Sequence, residues 1–151
     1  MIMKICLVCS SGGHLHHLKM LKKFWEKHER FWVTFDKENI KSTLKGEKIY
    51  SCFYPTNRSI KAFFLNTALA LRVLYQEKPD IIISSGAAVA VPFFYVGKIG
   101  GIKTMYIEVF DRIDKPTLTG RLIYPVADKF IVQWEELKQF YPKAENLGSI
   151  F

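Results

Sequence analysis

The sequence predicts a doubly wound α/β domain with a parallel sheet, and three observations carry that expectation. Short strand-like runs recur at residues 4–9, 31–35, 48–53, 80–84, 103–107 and 129–132. Segments with helical spacing separate them, so the order reads βαβα throughout. Runs such as Ile81-Ile82-Ile83 lack polar alternation, which suits strands covered on both faces by helices, and such strands are usually parallel.

The first run leads directly into Ser10-Ser11-Gly12-Gly13 without a small-residue cleavage pattern, so it reads as a strand and not as a signal peptide. Beyond it, Leu15, Leu18, Leu21 and Trp25 follow the 3–4 spacing of one buried helical face. Lys19, Lys22, Lys23 and Lys27 lie elsewhere on the cylinder, which gives an amphipathic helix packed on the sheet.

A second helix is expected from Ser59, a capping residue, to Glu77, ending before Pro79 because proline disfavours helical geometry in Lys78. Its apolar residues Ala62, Phe63, Phe64, Leu65, Ala68, Leu69, Leu71 and Val73 go nearly all the way round and cannot all face one sheet. The rest of the domain is expected to cover most of them, with another chain or the bilayer interface as the alternatives. The longest uncharged stretch, 81–97, falls short of the roughly 20 residues of a spanning helix and is interrupted by Ser84-Ser85-Gly86 and Pro92, so no transmembrane helix is expected.

A chain of 151 residues, 49% apolar and 24% charged, fits one globular domain over residues 1–151, with no repeat, low-complexity tract or linker. Three cysteines give no disulfide framework and point to a reducing, cytoplasmic setting. Cys6 and Cys9 are an odd number of positions apart in a strand and leave opposite faces, which argues against a zinc site, and Cys52 reads as a core residue. The net charge of +8 favours anionic lipid or phosphate. Nucleic acid is the weaker partner, since no recognition motif directs the charge to a groove.

Ligands of an open α/β sheet bind outside the carboxyl ends of the strands, where small-residue turns let backbone amides face an anion. Cys9-Ser10-Ser11-Gly12-Gly13-His14 is one such turn and Ser84-Ser85-Gly86-Ala87-Ala88 a second. Neither carries the three-glycine dinucleotide spacing or a P-loop lysine, and each alone reads equally well as a tight turn. Two turns on one rim suit the two charged groups of a diphosphate, with Ser10 and Ser11 as hydroxyl donors. Thr34, Asp36, Asn57 and Arg58 are expected on the same rim, where Arg58 offers a fork to a phosphate. Glu108, at the end of a strand, either accepts the proton of an attacking hydroxyl or orders the loop 109–116.

Ser10-Ser11-Gly12-Gly13-His14-Leu15, Asn57-Arg58-Ser59, the run from Pro79 to Ala87, Tyr106-Ile107-Glu108 and the run from Ala127 to Glu135 together resemble the bacterial capsule and exopolysaccharide glycosyltransferase subunits of the PssD, EpsE and CpsF type. These are similar to the membrane-anchoring subunit of the eukaryotic split N-acetylglucosaminyltransferase. The resemblance implies a Rossmann-like fold equivalent to the N-terminal, acceptor domain of a GT-B glycosyltransferase such as MurG. It implies a companion subunit that supplies the donor domain and nucleotide-sugar pocket, a polyprenyl-diphosphate saccharide as acceptor, and no metal or cofactor.

By the same resemblance Gly12, Gly13, Ser85 and Gly86 face the acceptor's diphosphate, and His14 and Glu108 are candidates for acid/base or positioning work. The turns are poorer in glycine than in MurG-like enzymes, and the N-terminal membrane helix of eukaryotic relatives is missing from this sequence. Membrane contact is therefore expected to be peripheral, at the inner face of the cell membrane, through the basic first helix and the Phe63-Phe64 region. Trp134, Phe140, Tyr141, Ile150 and Phe151 are candidates for docking the companion. Two other readings are a noncatalytic recruiter that stimulates its partner, and a stand-alone flavodoxin-like binding module.

Overall fold

The computed structural model describes residues 1–55 and 58–150. The strands are β1 (Lys4–Val8), β2 (Glu29–Thr34), β3 (Ile49–Ser51), β4 (Ile81–Ser84), β5 (Lys103–Ile107), β6 (Lys129–Val132) and β7 (Glu145–Asn146). They form one sheet in the order β3-β2-β1-β4-β5-β6-β7, and every neighbouring pair is parallel. Helices α1 (Gly13–Met20), α2 (Lys22–Trp25), α3 (Glu38–Thr43), α4 (Ile60–Glu77), α5 (Ala90–Ile99) and α6 (Leu118–Ile123) connect them. The parallel α/β expectation holds, with a short seventh strand added.

Side-chain contacts assign the helices to the two faces of the sheet. Trp25 packs edge-on against Trp32 at 5.6 Å, and Trp32 pairs in register with Leu7, so α2 covers the Leu7 face. Ile82 lies directly beneath Gly97 of α5 and pairs with Cys6, whose side chain leaves the opposite face of β1. Phe31, in register with Cys6, packs on Tyr50, whose hydroxyl donates to Glu77, so α4 shares that second face with α5. Strand residues such as Ile82 and Phe31 are fully buried between the layers, each contributing about 1.5–3 kcal/mol of apolar transfer.

The amino-terminal end of the sheet is tied by one buried carboxylate. Glu77, in the last turn of α4, accepts from Lys4 (2.7 Å), from Lys48 and from Tyr50. The hydrogen bond from Lys4, followed by those from Lys48 and Tyr50, holds its carboxyl down at about 2, so it stays ionised and pins α4 to β1 and β3. Lys78 then adopts left-handed geometry (φ 48°), ending α4 one residue before Pro79.

Two expectations are revised here. The single first helix is broken at Leu21 into α1 and α2, although Leu15, Leu18 and Trp25 keep their buried face. The rest of the domain does not cover most of α4. Ile60, Phe64, Leu71 and Tyr75, spaced along one side of the helix, are 77%, 66%, 57% and 82% exposed, and Phe63 is partly so. The physical reason is geometric: α4 packs one side on the sheet and another on α5, and nothing described lies over the third.

Candidate functional site

The carboxyl ends of the strands carry the two small-residue turns, and the structure brings them together. The His14 ring hydrogen-bonds through Nδ1 to the Ser85 carbonyl at 2.8 Å, and the Ser85 hydroxyl donates to the His14 carbonyl at 2.9 Å. Gly86 sits under the imidazole: a Cβ there would come within 2.6 Å of the ring, and its φ of 114° also excludes ordinary side chains. The Ser84 hydroxyl accepts from the Gly86 N–H at 3.0 Å and closes the second turn internally.

This contact fixes the state of His14. Burial pulls its pKa below the ordinary histidine value, although the hydrogen bond to Ser85 and the charges of Asp111 and Glu108 oppose that shift. A carbonyl only accepts, so the neutral ring must carry its proton on Nδ1, leaving a lone pair on Nε2. Nε2 of His14 is thus left as an acceptor.

The first turn remains open. Gly12 (φ 78°) precedes α1 with no side-chain cap, and neither Gly12 nor Gly13 has an atom within 4 Å of where a Cβ would stand. The first intrahelical bond runs from the His16 N–H to the Gly12 carbonyl, so the amides of Gly13, His14 and Leu15 precede the hydrogen-bonded ladder. Beside this turn lies a cleft of about 380 Å³, lined by Gly13, His14 and His17 on one wall and by Val109, Phe110, Asp111, Arg112 and Thr117 on the other.

Glu108 has no exposed surface and forms the floor of the second wall, not part of the open cleft. Its carboxylate accepts from the Thr117 hydroxyl (2.9 Å), the Tyr141 hydroxyl (2.9 Å) and the amides of Val109 and Thr117 (both 3.2 Å). Burial, then the charge of Glu108, pushes the Tyr106 and Tyr141 phenols up, so both stay protonated. Gly120 passes so close that a Cβ would collide with this carboxylate and the Tyr141 hydroxyl. The Glu108 carbonyl accepts from Gln133 (3.0 Å) and the Phe110 carbonyl from Trp134 (2.6 Å). Of the two readings of Glu108, these partners match that of a carboxylate that orders the loop, and its direct partner Thr117 lines the cleft.

Other expected site residues divide clearly. Ser10 is buried and its hydroxyl turns back toward the Ser11 carbonyl at 3.4 Å, so it is not a free donor to an anion. Ser11 borders the open turn and is half-buried. Ser85 spends both its hydroxyl and its carbonyl on His14. Arg58 is exposed with φ 57° and does not line the cleft, while Asn57 falls outside the described residues. Thr34 is buried, and Asp36 is exposed in an ion pair with Lys41. Among the docking candidates, Tyr141 is buried against Glu108, Phe140 is partly exposed, Trp134 is half-buried on Phe110, and Phe151 falls outside the described residues. Sequence reasoning missed Asp111, Arg112 and His17.

A parallel sheet in this order, with a cleft at its carboxyl rim, gives the chain the Rossmann-like fold of one lobe of GT-B proteins. Acinetobacter baumannii MurG superposes with a TM-score of 0.75 at 18% identity, over 89% of this chain and 42% of that one. UDP-N-acetylglucosamine 2-epimerase from Rickettsia bellii gives 0.75 at 15%, over 94% and 42%.

Residues 52–150 match the family described as oligosaccharide biosynthesis protein Alg14 like, and the chain belongs to that family. Its relatives include proteins named UDP-N-acetylglucosamine transferase subunit ALG14. The one from Yarrowia lipolytica is 27% identical over 146 residues, covering 92% of this chain and 64% of the relative. That from Candida albicans is 37% identical over 91 residues, covering 56% and 40%. The human protein is 25% identical over 179 residues, covering 98% and 83%. The chain thus spans less than two thirds of the first two relatives.

Proposed function

We propose that this chain is the acceptor-side subunit of a two-component glycosyltransferase, which transfers a sugar from a nucleotide-sugar to a polyprenyl-diphosphate-linked saccharide. The observation that carries this reading is the open first turn and its cleft at the carboxyl rim of a MurG-like lobe, in a chain of the Alg14 family. In this reading the donor lobe, with the nucleotide-sugar pocket, belongs to a companion chain. Relatives named as UDP-N-acetylglucosamine transferase subunits support a UDP-sugar donor. In a bacterial setting the product belongs to capsule or exopolysaccharide synthesis.

The diphosphate of the acceptor lies at the open first turn, against Gly12, Gly13 and Ser11, while Ser85 and Gly86 act by seating His14. His14 takes the proton from the attacking hydroxyl on Nε2 as the new glycosidic bond forms and the nucleotide diphosphate leaves. Glu108 is a positioning residue that holds the loop 109–116 beside it. No helix among the described residues is long and apolar enough to cross a membrane. The exposed side of α4, with Lys61 and Arg72 next to it, suits peripheral contact with an anionic membrane at its inner, cytoplasmic face. The basic α1 and α2 lie on the opposite face of the sheet, so the two cannot lie on one bilayer together.

The test is transfer of labelled sugar from a UDP-sugar to a polyprenyl-diphosphate saccharide by the chain purified with its companion. Transfer that needs both chains and falls at least a hundredfold in His14→Ala bears the reading out. Full transfer by the companion alone overturns it. The buried state of Glu108 favours a second reading, the noncatalytic recruiter: there His14→Ala leaves the rate unchanged while removal of this chain abolishes membrane association of the companion.

A further inference from the structure

The cleft wall opposite the first turn carries an arginine that no sequence pattern singled out. Arg112 lies on the loop after β5, exposed to solvent, and makes no ion pair or side-chain hydrogen bond among the described residues. Its backbone is not loose. The Arg112 N–H donates to the Val109 carbonyl at 3.2 Å, Val109 is tied to the Glu108 carboxylate, and Phe110 is held by Trp134 both through its carbonyl and by ring packing at 5.1 Å.

A buried carboxylate with four donors therefore holds a turn whose outward residue is an unpaired guanidinium, facing a cleft that also contains Gly13, His14 and His17. The cleft volume of about 380 Å³ is within the range of small-ligand sites, roughly 300–1,000 Å³. In the second small-residue turn, by contrast, the space above Gly86 is taken by the His14 ring. The space between α1 and the β5–α6 loop is open.

We propose that Arg112 is the diphosphate-clamping residue of this site, closing the cleft over an anion that rests on the first turn. This inference rests on the acceptor-binding reading and assigns to Arg112 the fork that the sequence had placed at Arg58. A guanidinium matches phosphate oxygens in pairs. Arg112 is the one lysine or arginine among the residues that line the cleft, so its side chain supplies the fixed positive charge there.

The experiment is titration of the full chain with inorganic pyrophosphate, followed by amide chemical shifts and by calorimetry. The expected result is weak binding with shifts at Gly13, His14 and Arg112, lost at least tenfold in Arg112→Ala, recovered in part in Arg112→Lys, and unchanged in Lys45→Ala, which removes the same charge from an exposed site. Unaltered melting temperature in Arg112→Ala, expected for an exposed side chain, separates clamping from folding. Unchanged pyrophosphate affinity in Arg112→Ala, a loss that falls on Arg58→Ala instead, or no binding by the wild-type chain overturns the inference. Assay of the Arg112→Ala pair distinguishes the two failures: transfer with an unchanged KM for the acceptor sinks the clamp and leaves the proposed function standing, whereas no transfer by the wild-type pair sinks the function itself.

Discussion

The two small-residue turns look alike in sequence and do opposite jobs in the fold. Around Gly12 and Gly13 there is empty space and a row of amides without a capping side chain; around Gly86 the groups of Ser84 and Ser85 are committed to His14 or to the turn itself. The same residue type is present for two different physical reasons. At Gly86 a side chain is excluded by a neighbour, while at Gly13 its absence leaves a surface for something else to occupy. A glycine-rich turn is therefore evidence of a ligand only when the space it frees stays free.

Substitutions at these positions test that contrast, and the largest effect is expected at Gly86. Gly86→Ala must overcome both the collision with the His14 ring and a φ of 114°, and should cost about 2–4 kcal/mol of stability in chemical denaturation. His14→Ala removes one hydrogen bond and a packed ring, costing about 1–2 kcal/mol, and frees Ser85. Gly12→Ala, strained by a φ of 78° but with open space for its methyl, should cost about 1 kcal/mol. Gly13→Ala should change stability by less than about 0.5 kcal/mol, since it begins a helix in open space. Equal losses at Gly86 and Gly13 would break the comparison.

The state of His14 gives a pH test of the closed turn. Its pKa is lowered in the folded protein, chiefly by burial, so the fold binds the proton less readily than the unfolded chain does. Its contribution is complete above the unfolded value of about 6.5 and is lost as pH falls below that toward the lowered value. Stability measured between about pH 7 and 5 should therefore fall with acidification in the wild type and less steeply in His14→Ala. For the same reason the acid limb of the transfer rate should lie below the usual histidine range.

Much of the fold was legible because six strands are apolar runs bounded by turn residues, and a fully covered parallel strand shows as an uninterrupted stretch such as Ile81-Ile82-Ile83. β7 was not legible: Glu145–Asn146 is two exposed residues held by pairing to β6, with no pattern of its own. The break at Leu21 was hidden because the apolar spacing runs on through it. In the site, the meeting of the two turns followed from strand order, and His14 was visible in its motif. That Glu108 faces inward was not, since a carboxylate after a strand can turn either way, and the outcome depends on Thr117 and Tyr141, distant in sequence. Asp111 and Arg112 sit on an irregular loop, where no periodicity marks which side chain looks into a cleft.

The exposed stripe of α4 has a consequence for orientation. The helix runs antiparallel to the strands for 18 residues, about 27 Å, and its uncovered side looks away from the sheet. A flat surface adsorbing along that stripe would leave the strands horizontal, so the cleft at their carboxyl rim would open sideways, raised off the surface because α1, which lines it, packs on the far face of the sheet. The companion lobe of the proposed function, docking over that cleft, would then stand beside this one above the surface and not between it and the lipid.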